Sequence, residues 1–359
     1  MRRNYVDNLR WSAVSLLIVY HAAMAWNTWD EPNYIFFEGN RAVISIVVFL
    51  SPFLMPLLFA LAGMSSRYAL AKRTERQYLA ERVRRLLIPF VFGTVTVMPV
   101  MSWLADRFNC GYTGSLLSHY KVFFTKFTDL TGGDGGFSVG HFWFLLFLFV
   151  ISVIFIVIRR IGIRCGKRFD VSRIPVWGMI LLGLPLLPLH EVLQIGGKSI
   201  AEYLYMFMAG YYLLSDDRVT EKLSKCRWLL LGIGLAAGVL DTYLFLWADQ
   251  SAAVRTLNTA ARWGTEWFTV LGLISTAGER FNMSNSFTRY MSQRSFMFYI
   301  LHYVWIVLFQ YLLGTYSGCG TAIMFFAPIV PAYAAAFVSC EICIRIPPLR
   351  FLMGTRRKV

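Results

Sequence analysis

Residues 10–21 read Arg10-Trp11-Ser12-Ala13-Val14-Ser15-Leu16-Leu17-Ile18-Val19-Tyr20-His21, and the hydrophobic segment continues to Trp29. A histidine inside such a segment is costly in a bilayer unless it is paired or used, so His21 is a functional candidate by default. At a helical rise of about 1.5 Å per residue, Arg10 and His21 stand about 16 Å apart along one helix. The hydrocarbon core of a bilayer is about 30 Å thick. With Arg10 at one membrane surface, His21 falls near mid-depth. Asp7 and Asn8 precede the segment, where short polar side chains cap exposed helix amides.

Apolar runs of this kind recur along all 359 residues, of which 57% are hydrophobic and only 15% charged. The mean hydropathy is +0.53. The composition implies an all-α polytopic membrane protein with the lipid bilayer as its solvent. We read about ten transmembrane helices, at 10–29, 42–68, 86–105, 141–158, 174–190, 199–214, 228–247, 255–277, 295–313 and 321–344. No separate soluble domain interrupts them, so 1–359 is read as a single integral-membrane domain. The fifth and sixth spans are short, and Pro175, Pro185 and Pro188 make the fifth irregular. Pro52 and Pro56 predict a kink in the second.

The formal net charge of +15 would suit nucleic acid, but its placement argues against that partner. Of the 35 Lys and Arg residues, 28 fall at the termini or in alternate loops that the ten-span reading puts on one side. The other seven are Arg41, Arg107, Lys121, Lys126, Lys198, Arg255 and Arg262. Such asymmetry orients a membrane protein with its basic side inward, so both termini are expected to be cytoplasmic. A signal peptide is the rival reading of the N-terminus, from its basic residues, apolar run and Ala23-Met24-Ala25. Removing it would leave nine spans and upset the alternation of charge.

Other motifs are bland. Cys340 and Cys343 form a CxxC near a span end with no second pair and no nearby His, so no metal site is expected. Cys110 and Cys319 share the outer side, where an oxidising compartment would permit pairing. Gly132-Gly133-Asp134-Gly135-Gly136 lies in the long outer loop 106–140, lacks the Lys-Ser/Thr of a phosphate loop and reads as a flexible connector. Gly234 and Gly238 are spaced for close helix packing.

Four further clusters carry chemistry. Glu81-Arg82-Val83-Arg84-Arg85-Leu86-Leu87-Ile88-Pro89-Phe90 enters the third span from the cytoplasm. Topology signalling explains it; so does an anionic ligand gripped by guanidinium groups, which bind phosphate bidentately. Arg82 and Arg85 are three apart and share a helix face. His141-Phe142-Trp143-Phe144-Leu145 opens the fourth span as an aromatic belt, or as a grip on a sugar or acyl group. Ser295-Phe296-Met297-Phe298-Tyr299-Ile300-Leu301-His302 places His302 in the ninth span. Arg262 and Glu266, four apart, read as mutual neutralisation, and Asp241 is a further possible partner.

Arg10, ten intervening residues and His21 resemble the N-terminal signature of the membrane acyltransferase 3 superfamily. So do Leu58-Phe59-Ala60-Leu61-Ala62-Gly63, the Arg82–Pro89 stretch, His141 to Leu145 and Ser295 to His302, in order from Tyr5 to about Leu352. The branch it most resembles holds glucan-modifying succinyltransferases, with a similar tail at Arg345-Ile346-Pro347-Pro348-Leu349-Arg350-Phe351-Leu352. The family's Arg-Ile-x-Pro reads Arg85-Leu86-Leu87-Ile88-Pro89 here, one residue longer. The chain is also expected to lack the extra hydrolase-like domain of some relatives.

The resemblance implies transfer of an acyl group from cytoplasmic acyl-CoA, a donor substrate and not a bound cofactor, to a hydroxyl of an extracytoplasmic carbohydrate. His21 is then the general base. Arg10, Arg82 and Arg85 hold the donor, with His141, Trp143, Glu266 and His302 as further substrate-binding residues. Trp143, His302 or an arginine would stabilise the oxyanion. A transporter or flippase for an anionic solute or lipid is the alternative, because buried ionisable residues serve it equally well.

Overall fold

The computed structural model describes residues 3–29, 31, 33–127, 130–164 and 170–355. Of the basic residues counted above, Arg2, Lys167, Arg168, Arg356, Arg357 and Lys358 lie outside them. Helices make up 77% of the chain. In order these are α1 (Asn4–Met24), α2 (Arg41–Leu70), α3 (Glu75–Arg82), α4 (Ile88–Asn109), α5 (Leu116–Thr125) and α6 (Trp143–Arg164). Then come α7 (Val176–Leu181), α8 (Leu186–Leu189), α9 (Ile200–Ala209), α10 (Asp217–Ser224), α11 (Arg227–Leu246) and α12 (Ala252–Arg280). The chain closes with α13 (Ser286–Tyr316), α14 (Thr321–Phe326), α15 (Ile329–Arg345) and α16 (Pro347–Leu352). Among the described residues the one sheet is a hairpin of β1 (Gln194–Ile195) and β2 (Lys198–Ser199), antiparallel with Gln194 opposite Ser199.

Six of these segments are long and apolar enough to cross a membrane: Arg41–Leu70, Glu75–Asn109, Gly140–Arg164, Arg227–Leu246, Ser286–Tyr316 and Thr321–Arg345. The protein is therefore an all-α, multi-pass membrane protein. The other four segments of the ten-span reading are α1, α7 with α8, α9 with the turn that follows it, and α12. The segment read as an irregular fifth span is a pair of short helices, α7 and α8, preceded by Pro175 and Pro185. The second span, read as kinked, is a 30-residue helix, α2, with Pro52 and Pro56 inside it.

The first helix departs from the reading at both ends. It starts at Asn4 and stops at Met24, so Arg10 lies inside it and His21 in its last turn. Partners from elsewhere set these ends. The Asn282 side chain accepts from the Tyr5 amide at 3.2 Å, and the Asn8 amide donates to Phe281 and Met283 carbonyls at 2.7 and 2.9 Å. Asp7 and Asn8 are thus not caps: Asp7 pairs with Arg10 at 2.9 Å. Beyond Met24, the Asn27 side chain donates to the Glu31 carbonyl at 2.8 Å and turns the chain away.

The molecule forms two compact units. The first comprises Met1–Ala13, Val48–Ala80 and Val150–Ser292. In it, Phe59 stacks on Tyr203 at 4.5 Å. Gly63, which ends the Leu58–Gly63 motif, lies so close to the Phe207 carbonyl that a Cβ would overlap it. Gly234 likewise meets the Thr269 backbone, the close packing of α11 on α12 that its spacing predicts.

The second unit comprises Val14–Val47, Glu81–Phe149 and Gln293–Val359. Gln310 of α13 donates to the Ala22 carbonyl of α1 at 2.9 Å, and Tyr333 of α15 donates to the Ser15 carbonyl. The glycine-rich stretch is packed, contrary to the connector reading. Lys126 Nζ donates to the Asp134 carbonyl at 2.7 Å, the Ser102 hydroxyl donates to the Gly135 carbonyl, and Gly133 abuts the Asn33–Tyr34 backbone. Gly135, at φ +83°, sits where any Cβ would overlap the Asp106 carboxylate. Its neighbour α5 is capped by Ser115, whose hydroxyl accepts from the Ser118 amide at 3.2 Å.

Candidate active site

Three histidines converge in the second unit. His21 comes from the last turn of α1, His141 from a 3₁₀ turn at Gly140–Phe142, and His302 from α13. Ring centroids lie 5.3 Å apart for His21–His302, 5.3 Å for His141–His302 and 6.3 Å for His21–His141. His141 and His302 are buried, while His21 keeps partial exposure.

The Ser295–His302 stretch explains itself as the clamp that assembles this cluster. Tyr299 donates its hydroxyl to the His141 carbonyl, and the Ile300 carbonyl accepts from His141 Nε2 at 3.3 Å. The Tyr299 carbonyl accepts from His302 Nδ1 at 2.8 Å. A carbonyl only accepts, so Nε2 of His141 and Nδ1 of His302 carry the protons, and in a neutral ring the other nitrogen is a lone-pair acceptor. Those other nitrogens, His141 Nδ1 and His302 Nε2, are buried without a partner, as is His21 Nδ1. Buried polar atoms in native folds are almost always satisfied, so three orphans in one cluster point to a ligand. With its hydrogen committed to Tyr299, His302 is not set as an oxyanion donor.

Sequence reasoning missed Tyr303, whose ring stacks on His21 at 3.7 Å and 18° and whose hydroxyl donates to Asn33 Oδ1 at 2.8 Å. Its only signal was adjacency to His302. It also missed His119, which is fully buried with Nε2 on Asp106 Oδ2 at 2.8 Å. His119 sits in the short helix α5, which falls inside the stretch read as an outer loop, so its burial was not expected.

The remaining candidates lie elsewhere. Arg82 ends α3, and Arg85 sits in a π-helical turn, Val83–Leu87. A π-turn absorbs one extra residue within an α-helix and is frequent at functional sites. That is the physical form of the extra residue between Arg85 and Pro89, and it means the α-helical repeat does not relate Arg82 to Arg85. Arg85 pairs with Glu81 at 3.1 Å, and Arg84, between them, has a buried Nε without a partner and its guanidinium 5.5 Å from the Phe351 ring centre. Trp143 opens α6 with its ring 5.1 Å from Phe147.

Arg10 and Glu266 belong to the first unit. Arg10 is held by Asp7 and by the Ser65 hydroxyl at 2.6 Å. Glu266 is buried, with Oε1 unpartnered, and Arg262 is exposed and makes no ion pair with it. The Arg262 charge still acts on Glu266, but without a direct ion pair. The carboxylate of Asp241 accepts from the Asn258 amide at 2.6 Å. Among the described residues no group of three His, Cys, Asp or Glu could hold a metal ion. Cys340 and Cys343 are buried free thiols in α15; Cys110 and Cys319 are exposed free thiols.

Residues 3–345 match a family described as an acyltransferase domain. No curated protein and no solved structure matches the chain.

Proposed function

Because the chain belongs to the acyltransferase 3 family, a family of membrane acyltransferases, we propose that it moves an acyl group from cytoplasmic acyl-CoA to a hydroxyl of an extracytoplasmic carbohydrate. The observation that carries this reading is the trio of imidazoles with unpartnered buried nitrogens. A hydroxyl nucleophile needs a lone pair beside it to take its proton, and the cluster supplies lone pairs in a dry setting. We take His21 as the base, since it alone of the three keeps partial exposure.

The step balances simply. The acceptor oxygen bonds to the thioester carbon while His21 removes the hydroxyl proton. Collapse of the tetrahedral intermediate breaks the carbon–sulfur bond, and the proton passes to the CoA sulfur. The arginines from Arg82 to Arg85 are the dock for the CoA phosphates. A ten-span topology with cytoplasmic termini, drawn from the 28-to-7 charge split, puts that dock on the donor's side. A succinyl donor and a glucan acceptor are the closest fit to the branch the motifs resemble.

The test is a panel of acyl-CoA thioesters offered to purified protein with no gradient. An acyltransferase releases CoA and forms an ester on a carbohydrate acceptor. A transporter of anionic solutes leaves every thioester intact, and that result would end this reading.

A further inference from the structure

Two of the three imidazoles in the cluster have their hydrogens committed to backbone carbonyls, at Ile300 and at Tyr299. The chain therefore leaves His141 Nδ1 and His302 Nε2 buried as acceptors with nothing to accept. The two rings are 5.3 Å apart and inclined at 81°. A site of bare acceptors is unsuited to a carboxylate, a phosphate or a thioester oxygen, all of which need donors. It suits a ligand rich in O–H groups.

We propose that His141 and His302 form a two-point hydroxyl-binding site, which requires an acceptor with two neighbouring hydroxyls, as a 1,2- or 1,3-diol of a sugar ring presents. One hydroxyl donates to His302 Nε2 and the other to His141 Nδ1, and the acylated hydroxyl is a third, adjacent one that gives its proton to His21. This rests on the reading above that the chain acylates a hydroxyl, and it adds which alcohols qualify. Tyr299 is the residue that makes the site: its hydroxyl takes the His141 carbonyl and its carbonyl takes His302 Nδ1. Both rings thus have their tautomers set by neighbouring residues of α13.

The selectivity should be large. A site built to hydrogen-bond a hydroxyl rejects the analogue that lacks it by up to about 10⁴–10⁵-fold, because its own buried groups are left unpaired. A loss of about 10²-fold or more in kcat/KM is expected when one hydroxyl of the pair is removed.

The experiment has two arms, with methyl glucoside and its monodeoxy analogues as probes. In the first, protein labelled with ¹⁵N-histidine is followed by NMR, with His141→Gln and His302→Gln used for assignment. His302 should be protonated on Nδ1 and His141 on Nε2, and methyl glucoside should shift both unprotonated nitrogens. Protonation of His302 on Nε2, or no shift at saturating methyl glucoside, overturns the proposal. In the second, CoA release and ester formation are measured. A monodeoxy analogue that keeps the acylated hydroxyl but loses one hydroxyl of the bound pair should be a poor acceptor, and His302→Gln should shrink that discrimination toward unity. Transfer to every such analogue within a few-fold of the parent overturns the two-point site while acyl transfer stands. Ring shifts without consumption of any thioester would sink the acyltransferase reading and leave the diol site standing.

Discussion

His21 is gripped from one side by Tyr303 and left partly open on another. That arrangement separates a catalytic imidazole from a packing one by experiment. Tyr303→Phe keeps the stacked ring and loses only the bond to Asn33, so turnover should fall by a few-fold at most. Tyr303→Leu removes the aromatic face, leaving the imidazole plane unfixed. Its kcat should drop about tenfold or more while donor KM stays constant, because a mispositioned base acts on the chemical step. Equal loss in both variants would mean that the Asn33 bond, not the stack, matters. At this scale His21, His141 and His302 were legible because an imidazole in an apolar run is expensive and therefore conspicuous. Tyr303 was not, since 18 tyrosines are spread through the chain and nothing in the hydropathy separates this one.

Among the elements, the π-turn Val83–Leu87 turns an extra residue into a local widening of the helix. Deleting Leu87 should let α3 and α4 join as one α-helix with little loss of helicity by circular dichroism. It should also abolish the stabilisation by CoA, because every side chain before the turn is rotated relative to Pro89. Arg82→Ala or Arg85→Ala should weaken the same CoA-dependent thermal shift, which scales with ligand concentration over Kd. Lysine at either site should restore it only in part, for want of a bidentate fork. An unchanged shift in all of these variants would reduce the turn to a topology signal.

A second element carries a pH prediction. Asp216 caps α10, accepting from the Arg218 amide at 3.0 Å, and its pairing with the Arg218 guanidinium holds its carboxyl below the ordinary range. A depressed folded-state value means the stabilisation is whole above the unfolded carboxylate range and fades as pH falls through the lowered one. The amount is about 1 kcal/mol, the worth of a cap. Asp216→Asn, which keeps a capping oxygen, should flatten the acid limb of thermal stability; an unaltered limb would remove Asp216 from the account. Helix existence was readable from apolar periodicity, but helix ends were not. Asn282 on the Tyr5 amide and Asn27 on the Glu31 carbonyl set the limits of α1 from hundreds of residues away or from a loop, and no local pattern encodes such partners.

Over the whole molecule, polytopic character follows from composition alone, whereas the number of crossings does not. Six segments carry enough apolar length to cross unaided. The other segments are short or hold charged residues, among them Asp7 and Arg10 in α1 and Arg262 and Glu266 in α12. Such helices enter a bilayer only when neighbours cover their polar groups. The ten-span reading predicts that Cys110 and Cys319, both exposed, react with an impermeant maleimide in intact cells when each is the single cysteine of the chain. Cys226 should react only after permeabilisation. Labelling of Cys226 from outside would reverse the side assigned to each substrate.

The central claim is that this membrane protein transfers acyl groups with His21 as its base. The most direct measurement is single-turnover ester formation by purified wild-type and His21→Asn protein, with acyl-CoA, a carbohydrate acceptor and no gradient, read by mass spectrometry. General acid–base catalysis contributes about 10²–10⁴-fold, so the variant should lose at least that much rate while CoA still stabilises it against heat. A His21→Asn enzyme that forms ester at a near wild-type rate would contradict the claim and hand the proton to His141 or His302.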